Sequence, residues 1–217
     1  GAGRVEDTGN LIGRALAAVV DCAAKTVGVD RGRIVAEARL TVLDAPSLKA
    51  ALDIDWDDVD ARKEALQRLL SEVESIRVWV SAHAPDEATK GPLRKALDLL
   101  ERVLEQDLEP DPAGGGHRIK QAVARDRMPS IGDPEMRHGR KSRSKLFNGY
   151  KRHVVRVVGC DLILGAVVLS ANQPETLALP ALSADAKRHG EQTAWYIDRG
   201  YLGSSEDAAF YEAGGAI

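Results

Sequence analysis

Apolar residues recur every three to four positions through the first half of the chain and give way to shorter β-branched runs later. Leu11, Ile12, Leu16, Val19, Val20 and Ala23 fall on one side of a helix, with Asp7 or Thr8 as its cap and Gly28 as its stop. A second helix is predicted from near Trp56, behind the acidic cluster Asp53, Asp55, Asp57, Asp58 and Asp60, whose carboxylates suit the positive end of a helix dipole. It runs through Leu66, Leu69, Leu70, Val73, Ile76 and Val80 and ends before Pro85. A third starts at Pro92, a favourable first-turn residue, and carries Leu93, Ala96, Leu97, Leu100, Val103, Leu104 and Leu108. The second and third together read as an antiparallel helical hairpin.

The pattern breaks at Glu109-Pro110-Asp111-Pro112-Ala113-Gly114-Gly115-Gly116, which reads as a flexible linker. A short helix is predicted over 117–126, then a basic stretch over 133–152 too polar to be a core element. Then the period changes. Residues 149–158 and 161–170 are β-branched strands, and Gly159-Cys160 between them suits a hairpin turn. Glu175 opens a helix with Leu177, Leu179, Leu182 and Ala186. Residues 193–198 form a short apolar strand ending in Asp198. Ser204 or Ser205 caps a last helix, with Glu206 and Asp207 in its first turn, which stops at Gly214-Gly215; Ala216-Ile217 begin another strand. An antiparallel hairpin and then alternating helix and strand make the second half of a mixed α/β sheet. The expected organisation is a helical region over 1–108, a linker over 109–116, and an α/β region over 117–217. The first strand of its sheet would have to lie before Gly1, leaving an open position beside the strand at 149–158.

Charge sharpens this division. Residues 1–116 hold 15 Lys and Arg against 22 Asp and Glu, residues 117–156 hold 12 against 3, and residues 157–217 hold 3 against 8. A positive block between two negative ones predicts a local site for a polyanion rather than a protein that is basic throughout. No apolar run approaches the roughly 20 residues that span a bilayer. Cys22 and Cys160 lack metal-ligand spacing and are expected as small buried thiols of a cytoplasmic protein.

Two places could carry chemistry. Asp198 closes an apolar strand and stands just before Arg199-Gly200, and ligands of open α/β sheets bind beyond the carboxyl ends of strands. A carboxylate there suits Mg²⁺, which takes oxygen ligands. Two such ions flanking a scissile phosphate stabilise an in-line displacement, which needs at least two further carboxylates. The plainer alternative is a strand end with Arg199 as a surface ion-pair partner. The basic stretch is either a solvated loop or a phosphate-neutralising segment that binds DNA with little sequence reading through Arg137, Arg140, Lys141, Arg143, Lys145, Lys151 and Arg152. Phe147 and Tyr150 either stack on a base or pack against the sheet. The five histidines show no ligand spacing.

The run Asp133-Pro134-Glu135-Met136-Arg137-His138-Gly139-Arg140-Lys141-Ser142, continuing through Phe147-Asn148-Gly149-Tyr150-Lys151, resembles a signature of bacterial DDE insertion-sequence transposases. Asp198-Arg199-Gly200-Tyr201 looks like the family motif that carries the second catalytic Asp, and Gly1 to Thr8 is similar to the family segment just after the first. The resemblance implies an incomplete ribonuclease H-like domain with a helical insertion over 8–126. It implies Mg²⁺-dependent cleavage and joining of DNA ends in a cytoplasmic, nucleoid-associated bacterial protein, with Asp198 as catalytic metal ligand. The first Asp and the third residue, a Glu, have no counterpart in the chain; Glu206 and Glu212 sit on the wrong element. The expectation is therefore a fragment inactive alone. Two alternatives stay open: a non-catalytic nucleic-acid-binding remnant, and a structural domain whose helices over 56–108 mediate homo-oligomerisation.

Overall fold

A computed structural model of the chain describes residues 2–142 and 144–217. It divides into two compact units, Gly1–Pro134 and Glu135–Ile217. The first is helical, with one two-stranded hairpin; the second is a three-stranded antiparallel sheet with helices. The protein is thus mixed α/β with small antiparallel sheets. No helix among the described residues is long and apolar enough to cross a membrane.

In the first unit, α1 (Ala2–Val27) lies against both α4 (Val59–His83) and α5 (Gly91–Asp107), the three long helices that periodicity predicts. Asp58 caps α4 by accepting from the Asp60 and Ala61 N–H groups, and Pro92 stands in the first turn of α5. The start of α1 differs from expectation. Helix continues through Asp7 and Thr8, because the buried Thr8 hydroxyl donates to Asp107 at 2.9 Å instead of capping. Two short helices, α2 (Arg31–Glu37) and α3 (Leu48–Leu52), fill the connection before α4. Gly28 ends α1 with φ +74°, the left-handed conformation a helix stop requires. The core runs through Ile12, Leu16, Val20, Ile34, Leu69, Ile76, Leu93 and Leu100.

The segment expected as a linker is a turn instead. Strands β1 (Leu108–Pro110) and β2 (His117–Ile119) pair antiparallel, and Asp111 and the glycines close the loop between them. Residues 117–126 hold β2 and turns rather than a helix. The chain then folds back on the end of α5. The Met128 N–H donates to Gln106 Oε1 at 2.9 Å, and Gln106 Nε2 returns a bond to the Met128 carbonyl at 3.0 Å. Beside them, Arg127 Nε and one terminal nitrogen grip the two Asp107 oxygens at 2.7 and 2.6 Å. Asp107 is fully buried and Arg127 nearly so, and the Asp107 carboxylate pushes the guanidinium pKa further up, above its already high value.

In the second unit, β4 (Leu146–Arg156) pairs with β3 (Arg137–Arg140) along its first four residues and with β5 (Ile163–Ser170) along the rest. The hairpin expected around Gly159-Cys160 is present, and β4 starts three residues before the predicted strand. The basic stretch, expected as a loop, supplies β3, so the position beside the start of β4 is occupied. Gly139 permits this: an added Cβ there would lie 2.6 Å from the Ala171 Cβ. Helix α6 (Leu179–Lys187) packs across β5 and β4. Ser204 caps α7 (Ser205–Glu212) as predicted, and Ala216 forms a parallel bridge with Ala194. The cysteines depart from expectation. Cys22 is half-buried, and Cys160 is exposed because it occupies the hairpin turn.

A buried ion pair that loses one member leaves an uncompensated charge, which costs about 3–5 kcal/mol. Asp107→Ala should therefore destabilise the helical unit by about that amount, and Thr8→Val by about 1 kcal/mol. Urea denaturation checks both; an Asp107→Ala midpoint equal to wild type would remove the pair from the account of stability.

Candidate nucleic-acid interface

Exposure alternates along β4. Phe147, Gly149, Lys151, His153 and Val155 turn inward, while Leu146, Asn148, Tyr150, Arg152, Val154 and Arg156 turn outward. This two-residue period comes from the pleat, and it separates the predicted basic residues into two groups.

Arg140, Lys141, Lys145 and Arg152 are exposed. Lys141 and Lys145 form the tight turn between β3 and β4, where the Lys141 N–H donates to the Lys145 carbonyl at 2.9 Å. Arg143 lies outside the described residues. Arg137 is half-buried and donates to the Met136 carbonyl oxygen at 2.8 Å. Lys151 points into the unit, where its ammonium donates to the Gln173 carbonyl at 3.1 Å and lies 3.6 Å from Glu175 Oε1. Lys151 therefore leaves the set of predicted phosphate contacts. The two aromatic residues also part company: Tyr150 is on the outer face, and Phe147 packs inward against Gly139.

Asp198 stands after the short segment that bridges to Ala216, not at the end of a strand of the three-stranded sheet. The Trp195 N–H donates to the Ala216 carbonyl at 2.8 Å, and the Ala216 N–H to the Thr193 carbonyl at 3.2 Å. Stacking of Trp195 on Phe210, ring centroids 4.0 Å apart, fastens the segment to α7. The Asp198 carboxylate is exposed and accepts from the Gly200 N–H at 3.2 Å, capping a single 3₁₀ turn over Arg199–Tyr201.

Inward residues of β4 hold that turn. Tyr201 meets His153 Nδ1 at 2.6 Å with the rings edge to face. The Glu175 carboxylate, paired with Lys151, presses on the turn so closely that a Cβ at position 200 would fall 2.1 Å from Oε2. Any larger residue there would have to push the Glu175 carboxylate aside. Burial, reinforced by the negative charges of Glu175 and Asp198, pushes the Tyr201 phenol up. Burial also pushes the His153 imidazole below its ordinary 6.5, with Glu175 opposing and Lys151 assisting. The other ring nitrogen, Nε2, is buried with no hydrogen-bond partner.

Among the described residues no group of three or more His, Cys, Asp or Glu side chains is arranged to hold a metal ion. Asp198 and Glu175 both border the 199–201 turn, but two carboxylates, one already paired with a lysine, do not fit a two-metal centre. Comparison with models of protein families, with curated proteins and with solved structures finds no match.

The depressed imidazole carries a pH dependence. Below pH 6.5 an unfolded histidine takes up a proton that the buried His153 resists. The unfolded state then binds more protons, and stability falls as pH falls through that window. Above it, both states hold a neutral ring and the effect vanishes. Amide exchange in β4 and β5 should therefore quicken between pH about 7 and about 5.5, after correction for intrinsic rates, and less so in His153→Asn. Equal pH responses in the two proteins would show that His153 does not couple protonation to the sheet.

Proposed function

We propose that this chain is the DNA-handling part of a DDE-class insertion-sequence transposase. The basic ribbon of β3 and β4 grips phosphates, and Asp198 contributes one of the carboxylates of a Mg²⁺-dependent strand-transfer site. The supporting observation is the order of elements in the second unit: an antiparallel hairpin entered through a basic ribbon, a helix on the sheet, the segment ending in Asp198, a second helix, and a parallel return at Ala216. That order is what supports the ribonuclease H-like reading. Asp198 stands outside the hairpin at an exposed turn, and Lys151, His153 and Glu175 fix that turn from the inner side.

Phosphate neutralisation is the part the chain's own residues perform. Arg140, Lys141, Lys145 and Arg152 are cations with exposed side chains within one ribbon. Each phosphate they neutralise releases condensed counterions, so binding to duplex DNA weakens steeply with salt. A second reading, binding without chemistry, draws support from the bond between Asp198 and the Gly200 N–H, which gives the carboxylate a purely structural duty as a cap.

Two experiments separate these. Replacing Arg140, Lys141 and Arg143 together by Ala should weaken binding to a duplex of arbitrary sequence and reduce the slope of log affinity against log salt by about 2 to 3, near 0.9 per lost contact. An unchanged slope removes the ribbon from DNA binding. In a polypeptide that supplies the remaining carboxylates, Asp198→Asn should abolish Mg²⁺-dependent nicking of supercoiled DNA. Nicking at the wild-type rate would leave the binding-only reading standing.

A further inference from the structure

We infer that the outward face of the sheet, centred on Asn148 and its cross-strand partner His138, reads base edges in the major groove of duplex DNA. The proposal rests on the DNA-binding reading above and adds a sequence preference to it. Register brings the parts together. His138 is paired with Asn148, Arg140 with Leu146, Tyr150 with Ser170, and Arg152 with Val168. All of these β3 and β4 side chains lie on the outward face. The face therefore presents Arg140, Asn148, Tyr150 and Arg152 in one surface, beside the Lys141–Lys145 turn. Acidic residues sit at its margins. Glu135 accepts from Ser170 through its carbonyl at 2.9 Å, and Asp161 pairs with Arg156 at 3.6 Å at the opposite end.

Charge selects the occupant. Within the second unit, eight Lys and Arg against one Glu over 135–156 fit a polyanion, not an apolar protein surface. Shape narrows the choice, because β3 and the first residues of β4 pair as a two-stranded antiparallel ribbon, an element that enters the major groove, about 12 Å wide. The hydrogen bond between His138 Nδ1 and Asn148 Oδ1 then sets the chemistry. The imidazole N–H takes one of the two lone pairs of the amide oxygen and leaves Nδ2 as a donor. With the guanidinium groups of Arg140 and Arg152, the face is rich in donors. Guanine offers two acceptors, N7 and O6, on its major-groove edge, so a donor-rich face prefers guanine. Apolar Val154 and Val168, exposed beside the arginines, suit contact with the methyl group of thymine.

The test is selection by the whole chain from a random-sequence duplex pool, with parallel salt titrations on a fixed arbitrary duplex. Wild type should enrich a guanine-containing motif. Asn148→Ala, at an exposed position, should bind the arbitrary duplex with an unchanged salt slope while losing about tenfold discrimination at one or two motif positions. Val168→Glu, also exposed, should abolish enrichment by placing a carboxylate in the face. Enrichment of the same motif to the same degree by Asn148→Ala overturns the inference, as does tighter binding of a single-stranded pool. Salt-dependent duplex binding without any motif overturns this inference alone. No binding to duplex at all overturns the DNA-binding reading beneath it.

Discussion

Because successive side chains of an extended chain point to opposite faces, β4 serves two environments at once. Its inner residues support a turn far along the chain: His153 meets Tyr201, 48 positions later, and Lys151 meets Glu175, which presses on Gly200. Its outer residues make the basic and aromatic surface offered to a partner. A one-residue slip would exchange the two sets and present Lys151 and His153 to solvent while burying Arg152. Register is therefore what keeps the support of Asp198 and the outward surface on their proper sides. Gly139 and Ala171, packed too closely for any Cβ at 139, help to pin it.

The helical unit solves a different problem. Its long helices bury a continuous apolar core, yet Asp107, a carboxylate, sits fully buried at the end of α5. Two side chains make that tolerable: the Arg127 guanidinium on both oxygens, and the Thr8 hydroxyl from α1. Burial of a charge is acceptable only when it is paired and hydrogen-bonded. Together with the Gln106 amide, these contacts bind the returning segment around Met128 to α5, so an irregular stretch without its own secondary structure is held by side chains of a helix.

What the sequence made legible was local. The three long helices, the Ser204 cap, the hairpin turn and the Gly28 stop are all written in periodicity and in residues adjacent in the chain. The short α2 and α3 escaped because five to seven residues give too few turns for a periodic signal. Strand β3 escaped because only Gly139 of its four residues is buried, so its composition reads as loop. The stretch 109–116 has linker composition but is closed by pairing between flanks of three residues each, too short to give a strand signal. Asp107 and Arg127 are joined across 20 residues, and Thr8 reaches Asp107 across 99; nothing nearby in sequence signals either bond. Lys151 is different. Period-two alternation already forbids Lys151 and Arg152 from facing the same way, and grouping them as joint phosphate ligands overlooked it.

The parallel bridge between Ala194 and Ala216 has a kinetic consequence. Its backbone bonds close a loop that contains all of α7. Chain entropy must be surrendered over that whole loop before the pairing returns anything, whereas the β4–β5 hairpin zips from a short turn. Closing the segment that leads to Asp198 thus costs more chain entropy than closing the β4–β5 hairpin.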